Sequence, residues 1–360
     1  ANTEMFWVQN HMVAPAEQAV HCTDCHRQEG RMDFQSLGYD SERAQQLESG
    51  HVLFCEDYTG TETCLECHGK ENGMGLEDMA TPLMQSIHWT WEHTNQPSGQ
   101  VLGKRNVINN YCVAVDSNEP RCTSCHAGIG WRNDSFDFSN PTNIDCLVCH
   151  DTTGTYKKTP TGAGAPDPSV NLTNVAQNVG ATSRATCGRC HFYGGGGDAV
   201  KHGDLDSTMT NPARTLDVHM GIDGADMHCA DCHSIGAANH HEMVGSRYSQ
   251  PHADQKLCED CHGNSPHPTE GIGARLNAHT ARLACQTCHV PAFARGGKAT
   301  KMTWDWSTAG NRNPDGSDRV IKDAAGNVIY HSKKGSFTWE ADVVPEYVWF
   351  NGEVIYNELG

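Results

Sequence analysis

The sequence predicts a mainly α protein with short helices, extensive loops and short β-hairpins near its C-terminal end. Three observations carry this. Leu, Ile, Val and Phe make up only 56 of 360 residues, and the formal net charge is −18. A bare polypeptide of that composition cannot bury enough apolar surface to offset its conformational entropy. Second, the pattern C-x-x-C-H recurs along residues 22–289 without a fixed period, which excludes a stacked-repeat solenoid. Third, hairpin signals sit at Arg319 to Tyr330, around Ala325-Gly326-Asn327, and at Tyr347 to Tyr356, across Asn351-Gly352.

The eight motif copies are Cys22-Cys25-His26, Cys64-Cys67-His68, Cys122-Cys125-His126 and Cys146-Cys149-His150, then Cys187-Cys190-His191, Cys229-Cys232-His233, Cys258-Cys261-His262 and Cys285-Cys288-His289. They use 16 of the 18 cysteines. Each reads as a covalent c-type haem site: two thiols add across porphyrin vinyl groups and the adjacent His becomes the proximal iron ligand. Zinc would combine the cysteine pairs two by two and gives no reason for a His after every second Cys. A thioredoxin-like pair would occur once, in a βαβ context that is absent here. Eight covalent haems c therefore supply the missing interior, and the expected architecture is a haem-packed multihaem cytochrome c. Macrocycles this dense lie close enough for electrons to pass between them.

In chain order, residues 1–40 carry one haem site and residues 41–150 three more. Residues 151–183, with Pro160, Pro166 and Pro168, read as a long irregular loop. Residues 184–290 carry four sites, and residues 291–360 form a haem-free, β-like tail. All of this is expected to form one haem-packed unit. Attachment of c-type haem takes place outside the cytoplasm, so the protein is expected in the periplasm or outside the cell. The first residues show neither a basic nor an apolar leader region, so a signal peptide is expected to have been removed. No apolar run approaches the length of a transmembrane anchor. The acidic balance argues against nucleic acid and favours redox partner proteins with a basic docking patch.

Of the 22 histidines, 14 lie outside the proximal positions. A low-spin haem needs a second strong ligand, usually His. The candidates are His11, His88, His219, His240 or His241, His252, His267 and His279. His21 and His228 directly precede a motif cysteine and are less able to reach an iron. His51, His93, His202 and His331 are left over. A haem with two strong ligands conducts, whereas catalysis needs an open or displaceable sixth position.

Several strings between the motifs resemble the octahaem tetrathionate reductase family. They are Ile87 to Trp91 (IHWTW), Asn109 to Cys112 (NNYC), Ser117 to Cys122 (SNEPRC), Asp145 to Lys158 (DCLVCHDTTGTYKK) and Gly194 to Asp204 (GGGGDAVKHGD). Residues 345–352 (PEYVWFNG) and 6–25 also match, so the resemblance covers most of the chain. The order departs from the family: the segment resembling residues 1–40 belongs at the family's C-terminal end. Either a natural circular rearrangement or a break in the chain near residue 40 accounts for this. The resemblance implies a catalytic haem on Cys122 and Cys125 with Lys201 as distal ligand. It places Asp198, Asn109 and Cys112 in the same pocket. A neutral lysine is a more displaceable ligand than imidazole. Asp198 would relay a proton, Asn109 would bind an oxyanion oxygen and Cys112 would exchange with a sulfur substrate. The plainer readings are a solvated Lys201, a surface charge at Asp198, a helix cap at Asn109 and a Cys55–Cys112 disulfide.

Three functions follow. One is a multihaem oxidoreductase reducing a small sulfur or nitrogen oxyanion such as tetrathionate or nitrite, or the related hydroxylamine. Another is a subunit of an extracellular cytochrome filament, in which copies of the chain pass electrons to external acceptors. The third is a soluble periplasmic shuttle with no chemistry of its own.

Overall fold

The computed structural model describes residues 25–49, 51, 55, 57–72, 76–95, 98–106, 115–116, 118–194, 197–200, 203–235, 239–243, 256–346 and 355. Its helices are short. They are α1 (Ser41–Ser49), α2 (Thr61–His68), α3 (Ala80–Gln85), α4 (Ile87–Thr90), α5 (Glu119–Cys122), α6 (Leu147–His150), α7 (Leu172–Gln177), α8 (Arg184–His191), α9 (Cys229–His233), α10 (Cys258–His262), α11 (Ile272–Thr280) and α12 (Gln286–His289). Most of the remainder is loop, as the composition requires.

The helix starts have local causes. Ser183 caps α8 by a capping box: its hydroxyl accepts from the Thr186 backbone N–H, and the Thr186 hydroxyl accepts from the Ser183 N–H. Asn171 caps α7 by accepting from Asn174 N–H at 3.0 Å. This helix interrupts the segment 151–183, so the expectation of a wholly irregular loop there is corrected. Pro120 sits in the first turn of α5, where its missing N–H has no helical partner to lose.

The apolar residues do not merge into one core. Cys55, Leu147, Val148, Tyr156, Val175 and Ala176 form one buried cluster. Trp91, Val115, Cys122 and Trp131 form a second, Phe34, Ala44 and Leu47 a third, and Ala80, Trp89 and Ile144 a fourth. A domain without prosthetic groups has one contiguous core. Here each cluster lies beside a C-x-x-C-H motif.

Sheets are small and antiparallel. β1 (His93–Thr94) pairs with β2 (Val101–Leu102), and β3 (Ser234–Ile235) with β4 (Asn239–Met243). The tail holds a four-stranded sheet of β5 (Thr300–Asp305), β6 (Val320–Lys322), β7 (Val328–His331) and β8 (Gly335–Glu340), in the order β5-β8-β7-β6. The β6–β7 hairpin stands where the sequence places it. Asp323 accepts from the N–H groups of Ala325 and Asn327 at 2.9 and 2.8 Å, and Gly326 takes a φ of 89°. The pairing of β5 with β8 joins residues 35 positions apart, with Thr303 opposite Thr338. The hairpin expected at Tyr347 to Tyr356 lies outside the described residues, apart from Ile355.

Gly335 opens β8 with a φ of +80°, and a Cβ there would stand 1.9 Å from the Asp305 carbonyl oxygen. Gly335→Ala is therefore expected to destabilise the tail sheet by about 1–3 kcal/mol. Hydrogen exchange is expected to lose protection across 300–340 while the motif helices keep theirs.

Candidate functional site

A helical turn places residues i and i+3 on one face with i+4 beside them. That geometry aims both motif cysteines and the His at one plane. The motifs occupy α2, the end of α5 with the 3₁₀ turn Thr123–Cys125, then α6, α8, α9, α10 and α12. Cys25 and His26 precede α1, and Cys22 lies outside the described residues. No described cysteine is paired in a disulfide. Cys55 is buried against Leu147 and Tyr156, and burial pushes its thiol up to about 11. The Cys55–Cys112 disulfide alternative is thereby corrected.

Five motif histidines face a second imidazole. The ring centroids are 6.2 Å apart for His51 and His68, 6.1 Å for His88 and His191, and 5.7 Å for His150 and His241. They are 6.0 Å apart for both His219–His262 and His267–His289. A metal–nitrogen bond of about 2 Å on each side, plus about 1 Å from each ring nitrogen to its ring centre, sums to about 6 Å. The pairs are therefore spaced to hold one iron between them. Ligation needs a neutral ring, and burial lowers the pKa of His51, His68 and His88. His150 donates from Nδ1 to the Gly180 carbonyl at 2.8 Å, and His26 from Nδ1 to Leu47 at 2.9 Å. Each bond fixes the tautomer that leaves the lone pair on Nε2, the nitrogen an iron would use.

Two histidines stand elsewhere than the sequence reading has them relative to the motif rings. His51, counted as left over, stands beside His68, and no motif near it signals this. His279 is exposed on α11, and its ring touches no motif histidine among the described residues. Its helix neighbour Asn277 instead holds His267 by accepting from its backbone N–H at 2.9 Å, and His267 stacks on His289. His331 is part of a turn, its Nδ1 accepting from Lys333 N–H. His11 and His252 lie outside the described residues, as does the His240 side chain.

His126 differs from the rest. Its ring is 1% exposed and caged by Trp89, Trp91, Trp131, Phe136 and Phe138, with centroids 5.0–6.0 Å away. Burial pulls it down to about 3, against an opposing hydrogen bond from Nε2 to the Trp89 carbonyl at 2.6 Å. An iron on Nε2 requires that bond to open. Two lysines hold the surrounding backbone: Lys104 donates to the Cys122 carbonyl at 2.9 Å and Lys158 to the His126 carbonyl at 2.7 Å. Lys158 also pairs with Asp145 at 2.9 Å, both side chains nearly fully buried, and the Tyr156 hydroxyl donates to the same carboxylate at 2.6 Å. Sequence reasoning missed this network, because nothing in the spacing of Asp145, Tyr156 and Lys158 shows that they meet.

Asp198 accepts from the Ser207 N–H at 2.8 Å and hydroxyl at 2.5 Å, and Lys298 lies 3.5 Å away. Beside it, the Ala199 carbonyl accepts from the Thr300 hydroxyl at 2.7 Å, so β5 straps this turn down. Lys201, Asn109 and Cys112 lie outside the described residues.

Motif thiols also meet across motifs. The sulfur of Cys64 lies close to that of Cys146, Cys125 to Cys190, Cys187 to Cys229 and Cys258 to Cys285. Salt bridges and hydrogen bonds reinforce the contacts. Arg189 on α8 binds Asp151 after α6 at 2.5 Å, and Lys256 before α10 donates to the Asp231 carbonyl on α9 at 2.7 Å.

Comparison with known proteins agrees with this geometry. The family described as bacterial cytochrome c matches residues 1–29 and 301–360, one stretch at each end of the chain. An uncharacterized protein of Archaeoglobus fulgidus is 23% identical over 234 residues, covering 49% of this chain and 73% of that protein. The crystal structure of an octahaem cytochrome c from Shewanella oneidensis is 46% identical, with a TM-score of 0.72, over 84% of this chain. This chain spans 66% of the length of that one. Thiol pairs on helical turns, imidazoles spaced for an iron and a shared fold converge: the chain belongs to the multihaem c-type cytochromes and carries about eight covalent haems c.

Proposed function

We propose that the protein conducts electrons along an ordered row of bis-imidazole haems, with one distinct site at His126 suited to chemistry. The five imidazole pairs spaced at 5.7–6.2 Å are the observation that carries the conducting role. Haem c supplies reversible one-electron chemistry at iron. The chain's contribution is spacing. Each motif thiol marks a porphyrin edge, so two thiols in contact put two macrocycles edge to edge. The thiol contacts then order the row from the second motif to the fourth. Arg189 ties the fourth to the fifth, and the Cys187–Cys229 contact leads to the sixth. Lys256 ties the sixth to the seventh, and the Cys258–Cys285 contact ends at the eighth. The third motif, holding His126, branches from the fifth through Cys125 and Cys190.

A branch position suits a reactive site, because electrons reach it without the row depending on it. No second imidazole pairs with His126 among the described residues. Asp198 lies three residues from Lys201, in the turn strapped by Thr300. In this reading Lys201 is the displaceable distal ligand, and the site reduces a small sulfur or nitrogen oxyanion. Asn109 and Cys112 complete the pocket. Lys104 favours negative charge arriving there.

Three outcomes test these readings. His51→Met is expected to remove one haem's share of the bis-imidazole low-spin signal in electron paramagnetic resonance and to raise that haem's potential. His331→Met is expected to leave both unchanged, and equal spectra for the two variants contradict the pairing. Lys201→Ala is expected to slow oxyanion-dependent oxidation of a reduced dye at least tenfold, as a rough scale for a lost proton donor, while electron entry from the dye is unaffected. Lys158→Met strands a buried carboxylate and is expected to cost about 3–5 kcal/mol in denaturant unfolding. Adding Asp145→Asn is expected to recover part of that loss.

A further inference from the structure

Three of the cations that brace the motif helices are matched by a carboxylate. Lys158 pairs with Asp145, Arg189 with Asp151 and Arg184 with Asp226. Lys104 has no such match. Its Nζ donates to the Cys122 carbonyl at 2.9 Å and stands 4.3 Å from the centre of the Trp91 ring. Trp91 is in turn a wall of the His126 cage, 5.3 Å from the imidazole. Arg105 stacks in the same way on Phe138, another wall, at 4.7 Å, but Glu92 offsets its charge at 3.8 Å. No carboxylate lies within ion-pair distance of Lys104 among the described residues.

We propose that Lys104 is a positioning residue that raises the potential of the His126 haem, so that electrons leave the row toward it. This rests on the reading of that haem as the reactive branch. Oxidised haem iron carries one more positive charge than reduced iron. An uncompensated ammonium on the wall of its pocket therefore disfavours the oxidised state. The indole and phenyl cage acts in the same direction, because low polarity favours the less charged state and leaves the ammonium's field poorly screened. That field reaches the motif. The Cys125 thiol is pulled down to about 5, first by the adjacent Cys190 thiol and then, against burial, by Lys104 with smaller help from Ser124 and Lys158.

The same side chain is also a clamp. Trp91 ends α4 in the left-handed conformation, with a φ of 53°, and Cys122 is the last residue of α5. Lys104 joins the two, stacking on one and bonding to the other. Charge and clamp thus act from one atom, and substitutions separate them. Gln keeps an N–H donor for the Cys122 carbonyl and removes the charge. Arg keeps both the charge and the capacity to stack on an indole.

The test is an anaerobic potentiometric titration of the haem-loaded protein, followed by visible absorption and electron paramagnetic resonance. In Lys104→Gln, one haem outside the bis-imidazole signals is expected to lose at least tenfold in its one-electron reduction equilibrium, about 59 mV. The bis-imidazole haems are expected to keep their potentials. Lys104→Arg is expected to hold the wild-type value, as is Lys322→Met, which removes an exposed charge from the tail sheet. If Lys104→Gln fails to take up its haems, Asn106→Asp carries the test by adding a carboxylate two residues away, and the same potential is expected to fall. An unmoved potential in the haem-loaded variant used, or an equal fall in Lys104→Arg, overturns the proposal. A shifted potential in a protein whose wild type turns over no oxyanion supports the role of Lys104 and contradicts the catalytic reading alone.

Discussion

The structure depends on one constraint: porphyrin must supply the interior that the polypeptide lacks. Aliphatic residues are sparse, and the buried clusters they form among the described residues are small and separate. Covalent thioether links and axial imidazoles do the work that side-chain interdigitation does elsewhere. Helices then need only be long enough to present two cysteines and a histidine. Loops between them are anchored by polar side chains, as Asp145 anchors Tyr156 and Lys158.

This constraint links fold to function. A chain of 360 residues that folds around about eight macrocycles must bring them close together. Close packing for stability and close spacing for electron transfer are one geometric requirement. In the proposed row, the close approaches of Cys64 to Cys146 and of Cys187 to Cys229 are where it is met. His126 stands apart, enclosed by indole and phenyl rings where five other motifs have a second imidazole. In the proposed row, chemistry there can differ without interrupting conduction.

What was legible in the sequence was what local spacing encodes. The C-x-x-C-H copies and the Asp323–Asn327 turn need only a few consecutive residues. The Asn171 cap was equally local, yet it sat in a glycine- and proline-rich stretch that masked a two-turn helix. Imidazole pairing was only partly legible, because it joins residues as distant as His150 and His241 through a cofactor that leaves no periodicity. His51 and His279 show the limit: one faces a motif histidine, the other faces solvent, and their local sequences do not distinguish them. The β5–β8 pairing and the Asp145–Lys158 bridge are long-range in the same sense.

Mass spectrometry of the intact, natively matured chain tests the central claim most directly. A mass matching eight covalent haem additions to these motifs, lost together with the folded far-ultraviolet signal when attachment is blocked, is the predicted result. A folded chain carrying clearly fewer porphyrins, or none, contradicts it.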